Sequence, residues 1–247
     1  MILDAHMHVD DVPALGWSMT ARGCIERMDE AEVEVALIMT VTDVPAHNPD
    51  ALDLIAGACA EFPDRLKAFA RVHPWYGDRA EELLERAFTE YDCFKGLKLH
   101  PVSTIAHPSL AGTQRLVRRA AAHSAPTLLH CGDEPMTTPL AIEPLAEACP
   151  EATLILGHMG GYYHGDEAIE VAERRPNVIL ETSAFPYPAK IREAVERVGA
   201  DRVIYGSDGP VCSPRIEVEK VRLAGLDDPD ERRVLGTTAE AMFARVR

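Results

Sequence analysis

The chain has 247 residues and a formal net charge of −15, with 40 acidic and 25 basic side chains. This balance argues against a nucleic-acid or anionic-membrane partner, because such partners are bound through a basic face. The first residues form no signal segment, and no stretch reaches the roughly 18 apolar residues of a spanning helix, so we expect a cytoplasmic protein that does not enter a membrane. The six cysteines form no C-x-x-C pair, which is typical of reduced thiols.

Eight short apolar segments rich in Val, Ile and Leu are predicted to be buried strands. In chain order they are residues 2–8, 33–40, 66–72, 94–100, 126–130, 153–158, 178–183 and 202–207. Segments with helical spacing and charged faces lie between them, at 78–91, 110–123, 142–148, 167–175 and 189–198. Residues 231–246 are predicted to form a closing helix.

Regular alternation of strand and helix predicts a parallel sheet with right-handed crossovers. Eight repeats favour a closed barrel, and the lack of a G-x-G-x-x-G motif after the first strand further disfavours a dinucleotide-binding fold. No linker or low-complexity stretch divides the chain, and such a barrel needs roughly 250 residues. We therefore expect one domain over residues 1–247, a (β/α)₈ TIM barrel of the α/β class.

Histidines mark the ends of the predicted strands. Those at or near a carboxyl end are His6, His8, His100, His130 and His158, while His73 comes just past the third strand and Asp208 follows the eighth. In a barrel these ends form one face, which is where active sites lie.

His6 and His8 carry the sharpest chemical signal. Residues two apart on a strand point to the same side, so both imidazoles can reach one metal ion. A third nitrogen from His130 and an oxygen from Asp208 would come from strands across the barrel mouth. Each residue alone has an ordinary explanation, such as a hydrogen-bonded polar side chain, a helix cap or a turn. Their coincidence on one face favours a metal site, because buried imidazoles without a shared partner each carry a desolvation cost.

Five motifs follow one another along the chain. They are DAHMH at 4–8, GLKLHP at 96–101, LHCG at 129–132, GHMGG at 157–161 and GSDGP at 206–210. In this order they resemble the motifs of the amidohydrolase superfamily, in the branch often termed amidohydrolase 2. Residues 234–243 also resemble the last helix of that family, although an asparagine is usual near Thr238.

The resemblance implies one divalent ion, most often zinc and sometimes manganese or another metal, held by His6, His8, His130 and Asp208. A divalent ion lowers the pKa of bound water to about 7. Asp208 would then accept the proton, and His158 would orient the water or polarise a carbonyl group, which makes these two the predicted catalytic residues.

Members of this family hydrolyse amides, esters and lactones or decarboxylate aromatic and unsaturated acids with the same ligands. We expect a metal-dependent hydrolase of a small carbonyl substrate, with a decarboxylase as the alternative. A homodimer is usual for such a family.

Residues predicted to bind the substrate lie on the same face: Lys98, His100, Arg71, His73 and Trp75. Lys98 would attract a substrate carboxylate, although it could also be carboxylated and bridge two metals, or pair with Asp4 or Glu181. The group after strand three would suit a planar acidic substrate, or would cap the barrel rim.

Two further classes are disfavoured. A metal-dependent nuclease of the same barrel class generally has a glutamate on strand four, where this chain has Lys98 and His100. A metal-free barrel that only binds a ligand would not need the full ligand set.

Overall fold

All eight predicted strands are present in the computed structural model, which describes residues 1–12, 17–41 and 49–247. The strands are β1 (Leu3–His8), β2 (Asp10–Val12), β3 (Trp17–Met19), β4 (Val35–Met39), β5 (Leu66–Arg71), β6 (Phe94–Leu99), β7 (Thr127–His130), β8 (Leu154–Gly157), β9 (Val178–Glu181) and β10 (Val203–Ile204). The short β2 and β3 pair with each other as an antiparallel hairpin.

The other eight strands form one parallel sheet in the order β1-β4-β5-β6-β7-β8-β9-β10. Hydrogen bonds from β1 to the segment after β10 close the ring. The Ala5 amide donates to the Tyr205 carbonyl at 3.1 Å, and the Asp208 amide donates to the His6 carbonyl at 2.7 Å. The chain is thus a (β/α)₈ barrel, as the alternation of strands and helices predicts.

Helices connect the barrel strands and cover their outer face. They are α1 (Ala21–Glu30), α2 (Pro49–Glu61), α3 (Asp78–Glu90), α4 (Ala111–Ala122), α5 (Pro139–Ala148), α6 (Gly165–Arg174), α7 (Pro188–Val198), α8 (Pro214–Leu223), α9 (Asp228–Arg232) and α10 (Thr238–Phe243). The sequence marks several of their starts: the side chain of Thr20 accepts a hydrogen bond from the Gly23 amide at 3.1 Å, and Thr138 caps α5 in the same way. None of the helices in these described ranges is long and apolar enough to cross a membrane.

The predicted closing helix is interrupted. A π-helical turn at Arg233–Thr237 separates α9 from α10. The Val234 carbonyl accepts a hydrogen bond from the Tyr205 amide at 2.8 Å, so this turn is bound to the residue that follows β10 in the barrel. Gly236 lies in the turn because a Cβ atom there would overlap the carbonyl oxygen of Met1. Hydrophobic spacing reports the buried face of a helix and does not report such a local change of winding.

Apolar side chains fill the barrel interior at the end opposite the carboxyl ends of the strands. Leu3, Ala5 and Phe69 pack there against Phe243 of α10, whose ring meets that of Phe69 edge to face at 5.7 Å. Polar side chains are thereby left to the opposite end of the strands, which is the end that holds the predicted site.

A β-bulge in β1 orients the H-x-H pair. Asp4 pairs with Ala36 while Met7 pairs with Ile38, so β1 contains one residue more than β4 over this span. Strict alternation would turn His6 away from the face that Ala5 occupies, and the extra residue restores the inward direction. His6 and His8 therefore share the barrel interior.

Candidate active site

Four histidines and one aspartate converge at the carboxyl ends of the strands, and we refer to His6, His8, His130, His158 and Asp208 as the histidine cluster. The ring centroids of His6 and His8 are 5.2 Å apart, those of His6 and His158 are 5.1 Å apart, and those of His130 and His158 are 4.7 Å apart. Strands β1, β7 and β8 and the segment after β10 supply these side chains.

Two members of the cluster have left-handed backbone conformations. The φ angle is +73° at His158 and +56° at Asp208. Residues with a Cβ rarely adopt this region, and such strain persists where the surroundings hold it in place. At Asp208 the amide hydrogen bond to the His6 carbonyl supplies that restraint.

Burial and neighbouring charge set the protonation states. Burial would raise the pKa of Asp208, but the hydrogen bond with His8 and the positive charge of Lys98 help to outweigh it and lower that pKa to about 2. Burial, reinforced by the nearby positive groups, lowers the pKa of His6 and of His130. Burial also lowers the pKa of His158, although the charge of Asp208 opposes that shift. An ionised carboxylate beside neutral imidazoles is the form in which these side chains bind a metal.

The His8 ring supplies a direct test of whether a cation fits. Its Nδ1 lies 3.3 Å from the carbonyl oxygen of Thr40, which can only accept, so Nδ1 carries the hydrogen. In the neutral ring Nε2 then has a lone pair, yet it faces Oδ1 of Asp208 at 2.9 Å. Two acceptors this close require a shared cation, either a proton or a metal ion.

A group of three ligand atoms strengthens that fit. His6, His158 and Asp208 each offer one ligand atom, and these atoms all lie within 4.8 Å of one another. The residues present are therefore compatible with a divalent ion.

His130 lies next to this group, in contact with His158. Its Nδ1 is 3.1 Å from Nε2 of His158, and its Nε2 is 3.5 Å from Oε2 of Glu134. The structure thus places all the predicted ligands at the same end of the barrel, but His158, and not His130, is among the three mutually close ligand atoms. The assignment of the third nitrogen to His130 stays a prediction.

Two buried cationic side chains line the same end of the barrel. Lys98 Nζ lies 3.0 Å from Nε2 of His6, and Arg71 donates to the Thr40 carbonyl at 2.6 Å and to Ser103 Oγ at 3.4 Å. The ring of His100 stacks on that of His130, with centroids 4.0 Å apart. Three of the predicted substrate-binding residues thus border the histidine cluster.

The remaining two lie on the rim. His73 caps the short turn that follows β5, and its side chain accepts the Trp75 amide at 3.4 Å. The Trp75 ring is mostly exposed and donates from Nε1 to the Ile105 carbonyl at 3.0 Å. Their contact with a substrate stays a prediction.

Two residues that sequence reasoning did not place in the site lie beneath the histidines. Glu181 and Ser183 are buried, and Oε2 of Glu181 lies 3.1 Å from Nδ1 of His6. From the sequence, Glu181 is named only as one residue that could pair with Lys98. A signal was available, because an acidic residue at the carboxyl end of a strand, two residues before a serine, stands where barrel active sites form.

Comparison with known proteins defines the family. The chain belongs to the amidohydrolase family, whose model matches residues 3–245. This confirms the resemblance of the five motifs and makes the chain a member of an enzyme family. No individual curated protein sequence matches the chain significantly.

Solved structures share the fold over almost the whole chain. The 5-carboxyvanillate decarboxylase of Sphingomonas paucimobilis is 16% identical with a TM-score of 0.76, covering 100% of this chain and 99% of that one. The dihydroxybenzoic acid decarboxylase of Polaromonas sp. JS666, with bound manganese and 2-nitroresorcinol, is 16% identical with a TM-score of 0.76, covering 98% and 96%. The probable 2-pyrone-4,6-dicarboxylic acid hydrolase of Acinetobacter baumannii is 15% identical with a TM-score of 0.73, covering 98% and 99%. At these identities the likeness establishes the fold.

Proposed function

We propose that this protein is a metal-dependent hydrolase of a small carbonyl substrate, an amide, ester or lactone. The observation that carries the proposal is the 2.9 Å contact between Nε2 of His8 and Oδ1 of Asp208, which places a ring nitrogen and a carboxylate oxygen where one divalent ion would bind both. Membership of the amidohydrolase family and the three mutually close ligand atoms support it. Within this proposal the cation is one divalent ion per chain, zinc in the first place and manganese next. The protein works in the cytoplasm as a homodimer.

 We include the homodimer in the proposal because it is the usual assembly in the amidohydrolase family.

The ligands we assign are the nitrogens of His6, His8 and His130 and a carboxylate oxygen of Asp208. A divalent ion in this position supplies Lewis-acid chemistry and a water of lowered pKa. Asp208 is ionised, so one of its carboxylate oxygens can accept the proton of an attacking water and later return it to the leaving group. His158 is buried beside it, and burial lowers its pKa, so a neutral ring stands where it can orient the attacking water.

A decarboxylase is the second candidate, and the two buried cations favour it. Lys98 and Arg71 are both nearly inaccessible and border the histidine cluster, where either could bind a substrate carboxylate through charge-assisted hydrogen bonds. Two of the structures that share the fold are decarboxylases of aromatic acids. In this reaction Asp208 would take a proton from a water molecule and pass it to the carbon that loses CO₂, leaving hydroxide behind.

Product analysis separates the two reactions. The metal-loaded protein is incubated with a panel of lactones, esters and amides and with hydroxylated benzoic acids, and the products are identified by mass spectrometry together with released CO₂. Hydrolysis products without CO₂ support the hydrolase, whereas CO₂ release from the aromatic acids replaces it with the decarboxylase. Ligand binding without turnover, unchanged after metal removal, would instead support a metal-free binding barrel.

A further inference from the structure

The carboxylate of Glu181 lies completely buried at the end of β9, beneath the histidine cluster. Its Oε2 is 3.1 Å from Nδ1 of His6 and 2.8 Å from Oγ of Ser183, and its Oε1 accepts the Ser183 amide at 2.6 Å. The backbone leaves space for this group: a Cβ atom at Gly206 would overlap Oε1. The end of β9 and the segment after β10 therefore leave room for this carboxylate.

Glu181 determines which nitrogen of His6 carries the hydrogen. Oε1 of Glu181 accepts the Ser183 amide and its Oε2 accepts the Ser183 hydroxyl, so Nδ1 of His6 donates to the same Oε2 and Nε2 is left with its lone pair. The other side of the ring agrees, because the Nζ of Lys98 lies 3.0 Å from Nε2 and a lysine ammonium can only donate.

Ser183 determines in the same way which nitrogen of His158 carries the hydrogen. Its hydroxyl donates to Glu181, so its oxygen is left to accept from Nδ1 of His158 at 2.9 Å. The Ser183 carbonyl lies 3.1 Å from the same nitrogen and can only accept. Nδ1 of His158 therefore carries the hydrogen, and its Nε2 holds a lone pair. Nδ1 of His130, 3.1 Å from that lone pair, must then donate in turn.

We propose that Glu181 and Ser183 are positioning residues that hold His6, His158 and His130 in the Nδ1–H tautomer, which leaves the Nε2 lone pairs of His6 and His130 for one divalent cation. This inference rests on the proposed function, because it assigns these residues a task in the same metal site. Partners of this kind that hold metal-binding histidines typically change metal affinity by about 10–100-fold when they are lost.

The Glu181→Gln variant tests the proposal with little change in shape. Both carboxylate oxygens of Glu181 face donors, the Ser183 amide on one side and His6 on the other. The NH₂ group of glutamine must therefore oppose one of them, and opposing His6 turns that ring to the other tautomer. We expect the dissociation constant for Zn²⁺, measured by competition with a chelator, to rise about 10–100-fold. Ser183→Ala keeps the Glu181 carboxylate beside His6 and should produce a smaller rise.

Two-dimensional ¹H–¹⁵N NMR of the histidine rings in the metal-free protein supplies a second readout. The wild type should show the Nδ1–H tautomer at His6, His130 and His158. Glu181→Gln should change His6, whereas Ser183→Ala should leave His6 unchanged and only weaken the preference at His158, because the Ser183 carbonyl still accepts from its Nδ1. Glu217→Gln is the matched control, because it removes a buried carboxylate that accepts the Ala184 amide at 3.0 Å. It should keep both the wild-type tautomers and the wild-type Zn²⁺ affinity.

The outcomes separate this inference from the proposed function. A wild type that binds Zn²⁺, with Glu181→Gln and Ser183→Ala variants that bind it equally well and keep the tautomers, overturns the inference alone. A wild type that binds no divalent ion overturns the proposed function and this inference together. A thermal melt of each variant identifies one that fails to fold, in which case the other variant decides the result.

Discussion

The Nζ atom of Lys98 lies 3.0 Å from Nε2 of His6, the nitrogen that the H-x-H motif offers to a metal ion. Both groups are buried, so solvent screens the lysine charge little. A lysine ammonium and a metal cation compete for the same lone pair, and they also repel each other. Lys98 in this position therefore opposes metal binding, unless carboxylation converts it into a ligand.

Replacing Lys98 with methionine tests this competition. We expect the Lys98→Met protein to bind Zn²⁺ about tenfold more tightly, because a hydrogen bond from a charged group to His6 no longer has to be broken. Chelator competition measures the affinity, and Lys95→Met on the same strand is the matched control. Weaker binding in Lys98→Met, together with two ions per wild-type chain, would instead identify a carboxylated Lys98 that bridges two metals.

Single replacements of His130 and His158 decide which of the two supplies the third nitrogen. The proposed ligand set predicts that His130→Ala loses most of its bound metal. It also predicts that His158→Ala keeps the metal but loses activity by about 10²–10⁴-fold, the range of a general acid–base residue. Elemental mass spectrometry of both proteins measures the content. The reverse pattern would make His158 the ligand, in line with its place beside His6 and Asp208.

Asp4 gives the metal-free protein a defined pH dependence. Its Oδ1 accepts the amides of His6 and Ser207 at 3.0 and 2.9 Å, and burial raises its pKa from 3.8 to about 7 against these hydrogen bonds. Between these two values the folded protein holds a proton that the unfolded chain has released, so stability falls as pH rises, by at most about 1.4 kcal/mol per pH unit.

The Asp4→Asn variant removes this titration and keeps an oxygen that can accept both amides. Its free energy of unfolding relative to wild type should rise with pH from about 4 to about 7 and then become constant. Urea unfolding of the metal-free proteins measures the difference, with the exposed Asp201→Asn as the control. A difference that is independent of pH would show that Asp4 stays ionised in the folded protein.

Strand positions and the H-x-H pair could be predicted because each depends on a short-range period. Apolar runs locate the barrel strands, and the barrel topology then brings His6, His130 and Asp208 to one face although they lie far apart in sequence. The bulge in β1 could not be predicted, since it depends on how β1 pairs with β4. The two-residue spacing still put both histidines on one side because the bulge precedes that pair.

The network below the histidines was beyond sequence reasoning for a different reason. Glu181 and Ser183 matter through hydrogen bonds to His6 and His158, and those contacts join residues 175 and 25 positions apart. A glutamate or a serine after a strand has many ordinary uses. Only the three-dimensional arrangement shows that both residues face imidazole nitrogens.

Metal content tests the central claim most directly. The protein is purified without chelator and its metals are quantified by elemental mass spectrometry, alongside a His6→Ala/His8→Ala double variant whose folding is checked by its thermal melt. The account predicts about one zinc or manganese ion per wild-type chain and almost none in the folded variant. No metal in either protein, and no uptake of added Zn²⁺ or Mn²⁺ by the wild type, would contradict it.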